Sequence, residues 1–276
     1  MICIEFNVIT LAIQKQQYRS DREIDIDTAN ILIADARTPV TQAVQKNCST
    51  CNVRGLCMPT GVSFDILKKL DKLVFIRKRL KTGDTLYHAG SHCHALYAVK
   101  AGFMKTENLH EDGRTQITGF YMAGEMFGFD GLATDAYMTT SVALEDSEIC
   151  IIPIDRIENA GSDSLLQHHL YKLMSREIIR DHTMMMLLGS MQGEERLATF
   201  LLNLSHRLQL RGYSPCHLVL RMKREEIGSY LGMKLETVSR VFTKFQDNGL
   251  LNVHQKDIQI LDLRGLKELT GQHTSH

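Results

Sequence analysis

The hydrophobic and polar positions divide the chain into stretches of different periodicity. Between about residues 75 and 154, short apolar runs alternate with glycine-containing turns such as Lys81–Asp84, Lys100–Gly102 and Ala123–Glu125. Regularly spaced short strands with turn signals between them are typical of an antiparallel β-barrel or jelly roll. We therefore expect an α+β protein in which residues 47–160 form a cysteine-containing loop and a β-barrel domain of the jelly-roll type. Residues 1–46 show only weak periodicity and receive no assignment.

A long helix is predicted over residues 161–192. Its apolar residues recur at about 3.5-residue spacing, at Leu166, Leu170, Leu173, Met174, Ile178, Met185 and Leu188. About thirty residues at 1.5 Å each give a rod of about 45 Å. Such a seam is typical of paired helices, and the simplest partner is a second copy of the chain. The alternative is a helix packed on its own β-domain, but Met184–Leu188 is apolar on more faces than one domain would cover.

Residues 193–276 carry the pattern of a winged helix-turn-helix domain. Small residues stand where two helices would touch, and a glycine stands at the tight turn between them. The skeleton is Ile227, Gly228, Leu231, Gly232, Met233, Val238 and Val241. Residues 250–260 then alternate apolar and polar around a Gln-Lys-Asp turn, which predicts a hairpin wing with Lys256 near phosphate.

The second helix of this motif has two chemically different faces. One face is apolar at i, i+3, i+4 and i+7, and the opposite face carries Glu236, Ser239, Arg240 and Thr243. Arginine can bind guanine O6 and N7, glutamate can accept from cytosine N4, and serine can do either. The pattern predicts recognition of double-stranded DNA. The alternative is a structural trihelical domain, but the predicted wing favours DNA binding.

Composition narrows the picture only slightly. The 43% of hydrophobic and 23% of charged residues are ordinary for a globular protein, and the formal net charge of zero restricts any DNA contact to a local patch. The first residues, Met1–Ile13, are interrupted by Glu5 and Asn7 and lack a basic segment. No later stretch reaches membrane-spanning length, so we expect a soluble, cytoplasmic protein without a membrane partner.

Three of the seven cysteines form the motif Cys48-x2-Cys51-x5-Cys57. This spacing lets thiolates face one metal centre, which favours zinc or an iron–sulfur cluster. A zinc site would need a fourth local ligand, but the next cysteines are Cys93 and Cys150, so a compact zinc finger is not expected. The odd, clustered cysteines indicate a reducing compartment rather than a disulfide scaffold.

Several short stretches between Cys48 and Leu269 carry a family resemblance. They are Cys48-x2-Cys51-x5-Cys57, Gln116–Phe120, Gly128–Asp130, Ile149–Pro153, Glu194–Ala198 and Glu236–Arg240. Together they resemble the FNR branch of the CRP/FNR transcription regulators, the oxygen-responsive iron–sulfur members. The resemblance implies a cyclic-nucleotide-binding-like β-domain, a dimerisation helix, a C-terminal winged helix-turn-helix and no enzymatic activity.

The resemblance also implies a fourth cluster ligand just before an Ile-Pro pair, where Cys150 stands. With Cys48, Cys51 and Cys57 it would hold one [4Fe-4S] cluster. In such proteins oxygen converts the cluster to a [2Fe-2S] form, and the dimeric, DNA-binding state is lost. Ligands from two distant segments would clamp the N-terminal loop onto the β-domain, and cluster conversion would release that clamp.

The same resemblance assigns roles outside the cysteines. Ile178 and Asp181 would set the balance between monomer and homodimer, because two Asp181 carboxylates across a two-fold axis repel each other. The alternative is a solvated aspartate on an outer helix face. Glu236, Ser239 and Arg240 would recognise an inverted repeat with TTGAT-like half-sites. RNA polymerase is an implied partner, although Arg114 departs from the acidic residue that activating members tend to show there.

Rival interpretations use other residues or the same cysteines. A cyclic-nucleotide receptor needs an arginine for the cyclic phosphate, but none occurs between Thr115 and Ile154, and Met138–Thr140 stands at about that place. We therefore expect no cyclic nucleotide. A haem sensor would draw an axial ligand from His88, His92, Cys93 and His94.

Two further rivals share the N-terminal cysteines. A thiol–disulfide sensor would use them without iron, through thiolate reactivity alone. An iron–sulfur enzyme or electron carrier would need a substrate site, but the sequence has no nucleotide-binding loop or catalytic triad pattern. The helix-turn-helix pattern argues against this last class.

Overall fold

The computed structural model describes residues 48–57, 71, 76–110, 112–159 and 164–271. Predictions for residues 1–46, for Glu111 and for the Leu166 side chain lie outside this part of the chain. The described chain begins with a 3-10 turn at Cys48–Thr50 and a one-turn helix, α1 (Arg54–Cys57). No helix among the described residues is long and apolar enough to cross a lipid bilayer.

Two four-stranded antiparallel sheets form the β-domain. Their strands are β1 (Ile76–Leu80), β2 (Thr85–Tyr87), β3 (Ala95–Ala101), β4 (Phe103–Leu109), β5 (Thr115–Met122), β6 (Met126–Phe127), β7 (Thr140–Ala143) and β8 (Ser147–Pro153). The strand orders are β1-β8-β3-β6 and β2-β7-β4-β5. The sheets do not close into a barrel, so the jelly-roll form of the prediction is confirmed.

The alternation of side chains along β8 separates two environments. Ile149 points into the core between the sheets, whereas Cys150 joins a second apolar cluster on the other face. Cys150 lies opposite Arg77 of β1 and Ala98 of β3. The strand therefore fixes Cys150 on the outside of the sandwich, on a backbone paired on both sides.

Aromatic rings fill the core between the sheets. The ring centroids of Tyr87 and Tyr137 are 3.9 Å apart, and those of Tyr87 and Tyr97 are 5.3 Å apart. The Tyr137 hydroxyl donates to the Ala95 carbonyl at 2.7 Å and so satisfies its own buried polar group. Stacked rings of this kind make the sandwich a solid core.

Two helices follow the sandwich, α2 (Ile154–Asn159) and α3 (Ser164–Ser190). The predicted seam of α3 divides into two faces. Leu170 and Leu173 pack against the cluster that contains Cys150, and Leu188 packs against the core of the C-terminal domain. The other face leaves apolar side chains exposed, namely Tyr171, Ile178, Ile179, Met185 and Met186. Leu170, Leu173 and Leu188 therefore contact other parts of the same chain, and the pairing of α3 with a second copy stays a prediction.

The C-terminal domain is a winged helix-turn-helix, as predicted. Its helices are α4 (Gly193–Gln209), α5 (Arg224–Leu231), α6 (Leu235–Asp247) and α7 (Leu263–Glu268), and its strands are β9 (His217–Val219), β10 (Leu251–His254) and β11 (Asp257–Ile260). The sheet order is β10-β11-β9, and β10 and β11 form the wing. Gly232 ends α5 with φ +63, the left-handed conformation that the tight turn needs.

Polar contacts attach this domain to the rest of the chain. Arg196 of α4 donates to the carbonyls of Leu188, at the end of α3, and Leu231, at the end of α5, at 2.8 and 3.0 Å. On the sandwich side, the Ile117 amide donates to the Ser229 hydroxyl at 2.8 Å. The dimer-helix candidate and the sandwich therefore both contact the DNA-binding domain directly.

Candidate metal centre and nucleic-acid interface

The four predicted cysteine ligands line one cavity at the outer face of the sandwich. Cys48, Cys51 and Cys57 come from the N-terminal turn and α1, and Cys150 comes from the middle of β8. The other lining residues are Val53, Arg54, Arg77, Ala98, Lys100, Met126 and Ile152. We call this space the cysteine cavity. Its wall contains thiols, aliphatic side chains and three basic residues, but no histidine or carboxylate.

Backbone hydrogen bonds shape the N-terminal cysteine loop. The Cys51 amide donates to the Cys48 carbonyl at 3.2 Å, and the Cys57 amide donates to the Val53 carbonyl at 3.1 Å. The Asp71 carboxylate accepts from both the amide and the hydroxyl of Ser49, at 3.0 and 2.7 Å. These short-range bonds curl the loop so that its three thiols border the same space.

Burial disfavours the charged forms of Cys48, Cys57 and Cys150. It raises the pKa of Cys48 and of Cys57 to about 12, and the nearby Cys150 adds to both shifts. Burial also raises the pKa of Cys150, against the attraction of the Arg77 guanidinium. Four neighbouring thiolates therefore need a compensating positive charge, which metal ions bound to them would provide. The donor set and its charge requirement fit an iron–sulfur cluster.

The predicted base-recognition face lies on α6 and is open to solvent. The side chains of Glu236, Ser239 and Arg240 are exposed, while Val238 and Phe245 on the opposite face are fully buried. A Cβ on Gly228 would lie 2.6 Å from the Met233 carbonyl oxygen, which explains the glycine where α5 meets the turn. The scaffold thus presents all three polar side chains on one side of one helix.

The predicted dimer residues lie on the exposed face of α3. Ile178 is 53% exposed, and Asp181 is exposed one helical turn further on. Tyr171, Ile178 and Met185 stand seven residues apart, and Asp181 occupies the intervening position three residues after Ile178. This is the arrangement of a helix-pairing seam with a carboxylate inside it.

Family models match both folded parts of the chain. The model of the Crp-like helix-turn-helix domain matches residues 195–269, and that of the cyclic nucleotide-binding domain matches residues 77–163. The transcriptional regulatory protein btr of Bordetella pertussis is 44% identical over 83% of this chain and 95% of its own length. The fumarate and nitrate reduction regulatory protein of Escherichia coli K12 is 38% identical over 83% of this chain and 91% of its own length.

This chain belongs to the CRP/FNR superfamily of transcription regulators. A solved structure agrees, since FixK2 from Bradyrhizobium japonicum aligns with a TM-score of 0.64 and 28% identity, over 70% of this chain and 96% of that one. The predicted family, the transcription-regulatory class and the DNA-binding helix-turn-helix are therefore confirmed.

In a cyclic-nucleotide receptor of this superfamily, an arginine that binds the cyclic phosphate would be expected at about Met138–Thr140. The amides of Met138 and Thr139 both donate to the Asp130 carboxylate, at 3.0 and 3.1 Å, and the Thr139 hydroxyl donates to the same oxygen at 3.0 Å. The N–H and O–H donors of this segment are therefore already hydrogen-bonded to the Asp130 carboxylate.

Sequence reasoning missed the basic residues around the cysteines. Arg54, Arg77 and Lys100 line the cavity, and Lys100 donates to the side chain of Asn52 in the cysteine loop. Arg77 and Lys100 lie on different strands, and nothing in their sequence spacing points to the cysteines. The alternation of β8 was the one usable signal, because it separates Cys150 from the sandwich core.

The residues considered for haem occupy a different place. His88, His92 and His94 are exposed on the loop between β2 and β3, while Cys93 is buried in the sandwich core. The His92 ring contacts the Asp135 carbonyl at 3.0 Å. These residues surround a polar loop, and they do not border the cysteine cavity.

Proposed function

We propose that this chain is an oxygen-responsive transcription regulator that binds DNA as a homodimer when oxygen is scarce. The observation that carries the proposal is the convergence of Cys48, Cys51, Cys57 and Cys150 on one cavity. Transcriptional activation is supported by a relative named transcriptional activator protein anr, from Pseudomonas aeruginosa, and regulation under low oxygen by a relative named anaerobic regulatory protein, from Haemophilus influenzae. They are 41% and 38% identical to this chain.

The four cysteines would hold a [4Fe-4S] cluster. When bound, such a cluster supplies oxygen-reactive redox chemistry. Cys150 would bind the cluster from β8, a strand paired on both sides. Cys48, Cys51 and Cys57 would bind it from the N-terminal loop. Because the loop and β8 are distant in sequence, ligation joins two parts of the chain that otherwise meet through a few side-chain contacts.

Zinc is the other metal that thiolates bind. A compact zinc finger would draw a fourth ligand from the local sequence, whereas the fourth cysteine here, Cys150, comes from a strand distant in the chain. Together with the family resemblance, this favours a cluster whose irons each take one thiolate.

Recognition of DNA would come from Glu236, Ser239 and Arg240 of α6. Their exposure on one helix face suits insertion into the major groove. Two such helices related by a two-fold axis require an inverted repeat, and the family resemblance supports TTGAT-like half-sites. The wing residue Lys256, also exposed, would contact phosphate.

Dimerisation would use the exposed face of α3. Ile178 and Met185 would pack against their copies, and the two Asp181 carboxylates would oppose that packing. If the dimer is only marginally stable, a small change at the cysteine loop can shift the equilibrium between monomer and dimer. Leu170 and Leu173 of the same helix pack on the hydrophobic residues around Cys150. Helix α3 therefore connects the surroundings of Cys150 with the proposed dimer surface.

A cyclic nucleotide is not part of this proposal. The Asp130 carboxylate accepts the donors of Met138 and Thr139 where a nucleotide phosphate would need free donors or an arginine. Placing a phosphate beside that carboxylate would bring two negative charges together. Tyr87, Tyr97 and Tyr137 also fill the space between the sheets.

RNA polymerase would be a partner of the DNA-bound dimer. The exposed loop at Asp112–Arg114 is one candidate surface, and the Arg114 guanidinium pairs with the Asp112 carboxylate at 2.7 Å. This internal pair partly neutralises the arginine that departs from the acidic family pattern, so the loop does not present an isolated positive charge.

The deciding experiment is anaerobic purification with iron and sulfide analysis and an absorption spectrum, followed by exposure to air while oligomeric state is measured. We expect about four irons and four sulfides per chain, with bleaching and loss of the dimer in air. A protein without iron that still responds to oxidants would support the thiol sensor instead. A Soret band would support haem.

A further inference from the structure

A single turn of the sandwich lies between the cysteine loop and the DNA-binding domain. It joins β5 to β6 at Ala123–Glu125, and Gly124 has φ +86, a left-handed conformation that favours glycine. A Cβ on Gly124 would overlap the Leu56 side chain and lie 3.4 Å from the Cys57 amide nitrogen. The cysteine loop therefore rests directly on the backbone of this turn.

The other side of the turn is bound by two arginines of the DNA-binding domain. The Glu125 carboxylate accepts from Arg207 Nε at 2.9 Å and from Arg211 Nη2 at 2.8 Å. The arginines also donate to the backbone of the same segment, to the Phe120 carbonyl at 2.8 Å and the Ala123 carbonyl at 2.7 Å. The turn is thus held by its side chain and by its main chain.

These groups are shielded from water. The side chains of Glu125, Arg207 and Arg211 are 21%, 19% and 8% exposed. Burial by itself would raise the pKa of Glu125, but the two arginines outweigh it and lower that pKa below its ordinary value. A buried carboxylate that loses such partners is strongly disfavoured. The turn and the arginines are therefore expected to move together.

The arginines connect the turn to the recognition helix. Arg207 lies in the last turn of α4, and Arg211 follows its end. The buried face of α4, which includes Leu197, Leu201 and Leu204, shares one hydrophobic core with Val238 and Phe245 of α6, and the same core reaches Phe120 and Met122 of β5. A displacement of α4 relative to the sandwich would therefore also displace α6.

We infer that the Gly124–Glu125 turn is an intrachain link that transmits the state of the cysteine loop to the DNA-binding domain. The inference rests on the proposed function, and it adds a route separate from the dimer helix. When the cysteine loop is held in place, Leu56 and Cys57 support the turn and Glu125 holds α4 in its described position. When the loop is released, the turn loses that support and the hold on α4 weakens.

The test compares Glu125→Gln with a matched control, Glu145→Gln. Glu145 also joins the sandwich to the DNA-binding domain, through a 2.8 Å pair with Arg221, but that pair is more exposed and Glu145 does not contact the turn. The full-length protein is prepared with and without iron. Hydrogen exchange is measured over α4 and α6 and over α3, and sedimentation of the same samples gives the oligomeric state.

In the wild type, and in Glu145→Gln, exchange over α4 and α6 should slow when iron is loaded. In Glu125→Gln this difference should be largely lost, while iron content and the exchange response of α3 persist. An α4 response in Glu125→Gln equal to that of the control would overturn the link. If Glu125→Gln does not fold, Arg207→Gln replaces it, because it removes one of the two guanidinium groups bound to Glu125. A wild-type response there would overturn the link equally.

The two proposals can fail separately. Wild-type protein that takes up no iron would refute the cluster. A full iron complement with identical α4 exchange in both forms would refute the link and leave the cluster intact. A response that follows sedimentation alone, and vanishes between samples of equal oligomeric state, would assign transmission to the dimer helix and also refute the link.

Discussion

The cysteine cavity and the recognition face of α6 are built in opposite ways. The cavity is partly enclosed, with half-buried cysteines from an N-terminal loop and the buried Cys150 from the middle of β8. The recognition face is exposed and comes from Glu236, Ser239 and Arg240, which lie within one turn of a single helix. The first exists only when distant segments meet, whereas the second needs only helix periodicity and a scaffold beneath it. In a regulator with this arrangement, the cavity can change without any change in the DNA-binding surface.

The largest expected effect is the loss of iron when a cysteine of the cavity is replaced, compared with a buried cysteine outside it. Cys150→Ala should remove most of the bound iron under anaerobic conditions, because it deletes the one proposed ligand that the sandwich contributes. Iron and sulfide analysis with sedimentation measures this. Cys93→Ala is the matched control, since Cys93 is 5% exposed and does not line the cavity. A full iron complement and a stable dimer in Cys150→Ala would show that the ligand is wrong.

The scaffold beneath the recognition face should show the next largest effect. Phe245→Ala empties a fully buried site behind α6 and should lower the free energy of unfolding of the winged domain by about 3–5 kcal/mol. Denaturant unfolding measures this. Gln246→Ala, at the exposed neighbouring position, should change it by less than about 0.5 kcal/mol. Equal effects of the two changes would contradict the described packing.

A substitution on the recognition face should have a smaller energetic effect, which is confined to one base pair of each half-site. Arg240→Ala should cost about 1–3 kcal/mol of DNA-binding free energy and relax the preference at one base pair of each half-site. Binding to a set of duplexes with single substitutions measures both. Arg264→Ala removes an equal charge from an exposed position on α7 and should leave the preference unchanged. An unaltered preference in Arg240→Ala would remove Arg240 from the recognition set.

The smallest effect concerns the helix between the two regions. Asp181→Ala should strengthen dimerisation in air, because it removes the repulsion between two carboxylates. The gain should be only roughly fivefold, since Asp181 is exposed and water screens that repulsion. Sedimentation over a range of protein concentrations measures this. Glu158→Ala, at an exposed position on α2, is the control. An aerobic monomer at the concentrations where the wild type is monomeric would argue against the repulsion.

The parts of the fold that sequence predicts well are those with local causes. Gly232 has the left-handed φ that the turn requires, and the wing pairs Leu251 with Ile260 across a two-residue connection. The alternation in the β-domain predicted antiparallel strands. The choice between an open sandwich and a closed barrel depends on sheet order, which alternation does not encode.

The candidate site was less accessible to sequence alone. Local spacing pointed to Cys48, Cys51 and Cys57, but Cys150 entered through the family resemblance, because its partners lie across the sheet. Arg77 and Lys100 follow no pattern relative to the cysteines. On α3, Leu188 and Ile178 share a periodicity yet face different surroundings, since a helix between two neighbours has two apolar faces with the same repeat.

The stacked tyrosines of the sandwich also give the protein an internal optical label. The chain has eight tyrosines and no tryptophan, and Tyr87, Tyr97 and Tyr137 lie together between the sheets. Their fixed, asymmetric stacking makes them the natural source of a near-ultraviolet circular dichroism band. The winged domain holds only Tyr213, which is exposed, and Tyr230. Loss of packing in the sandwich should therefore be measurable in this band without any added dye.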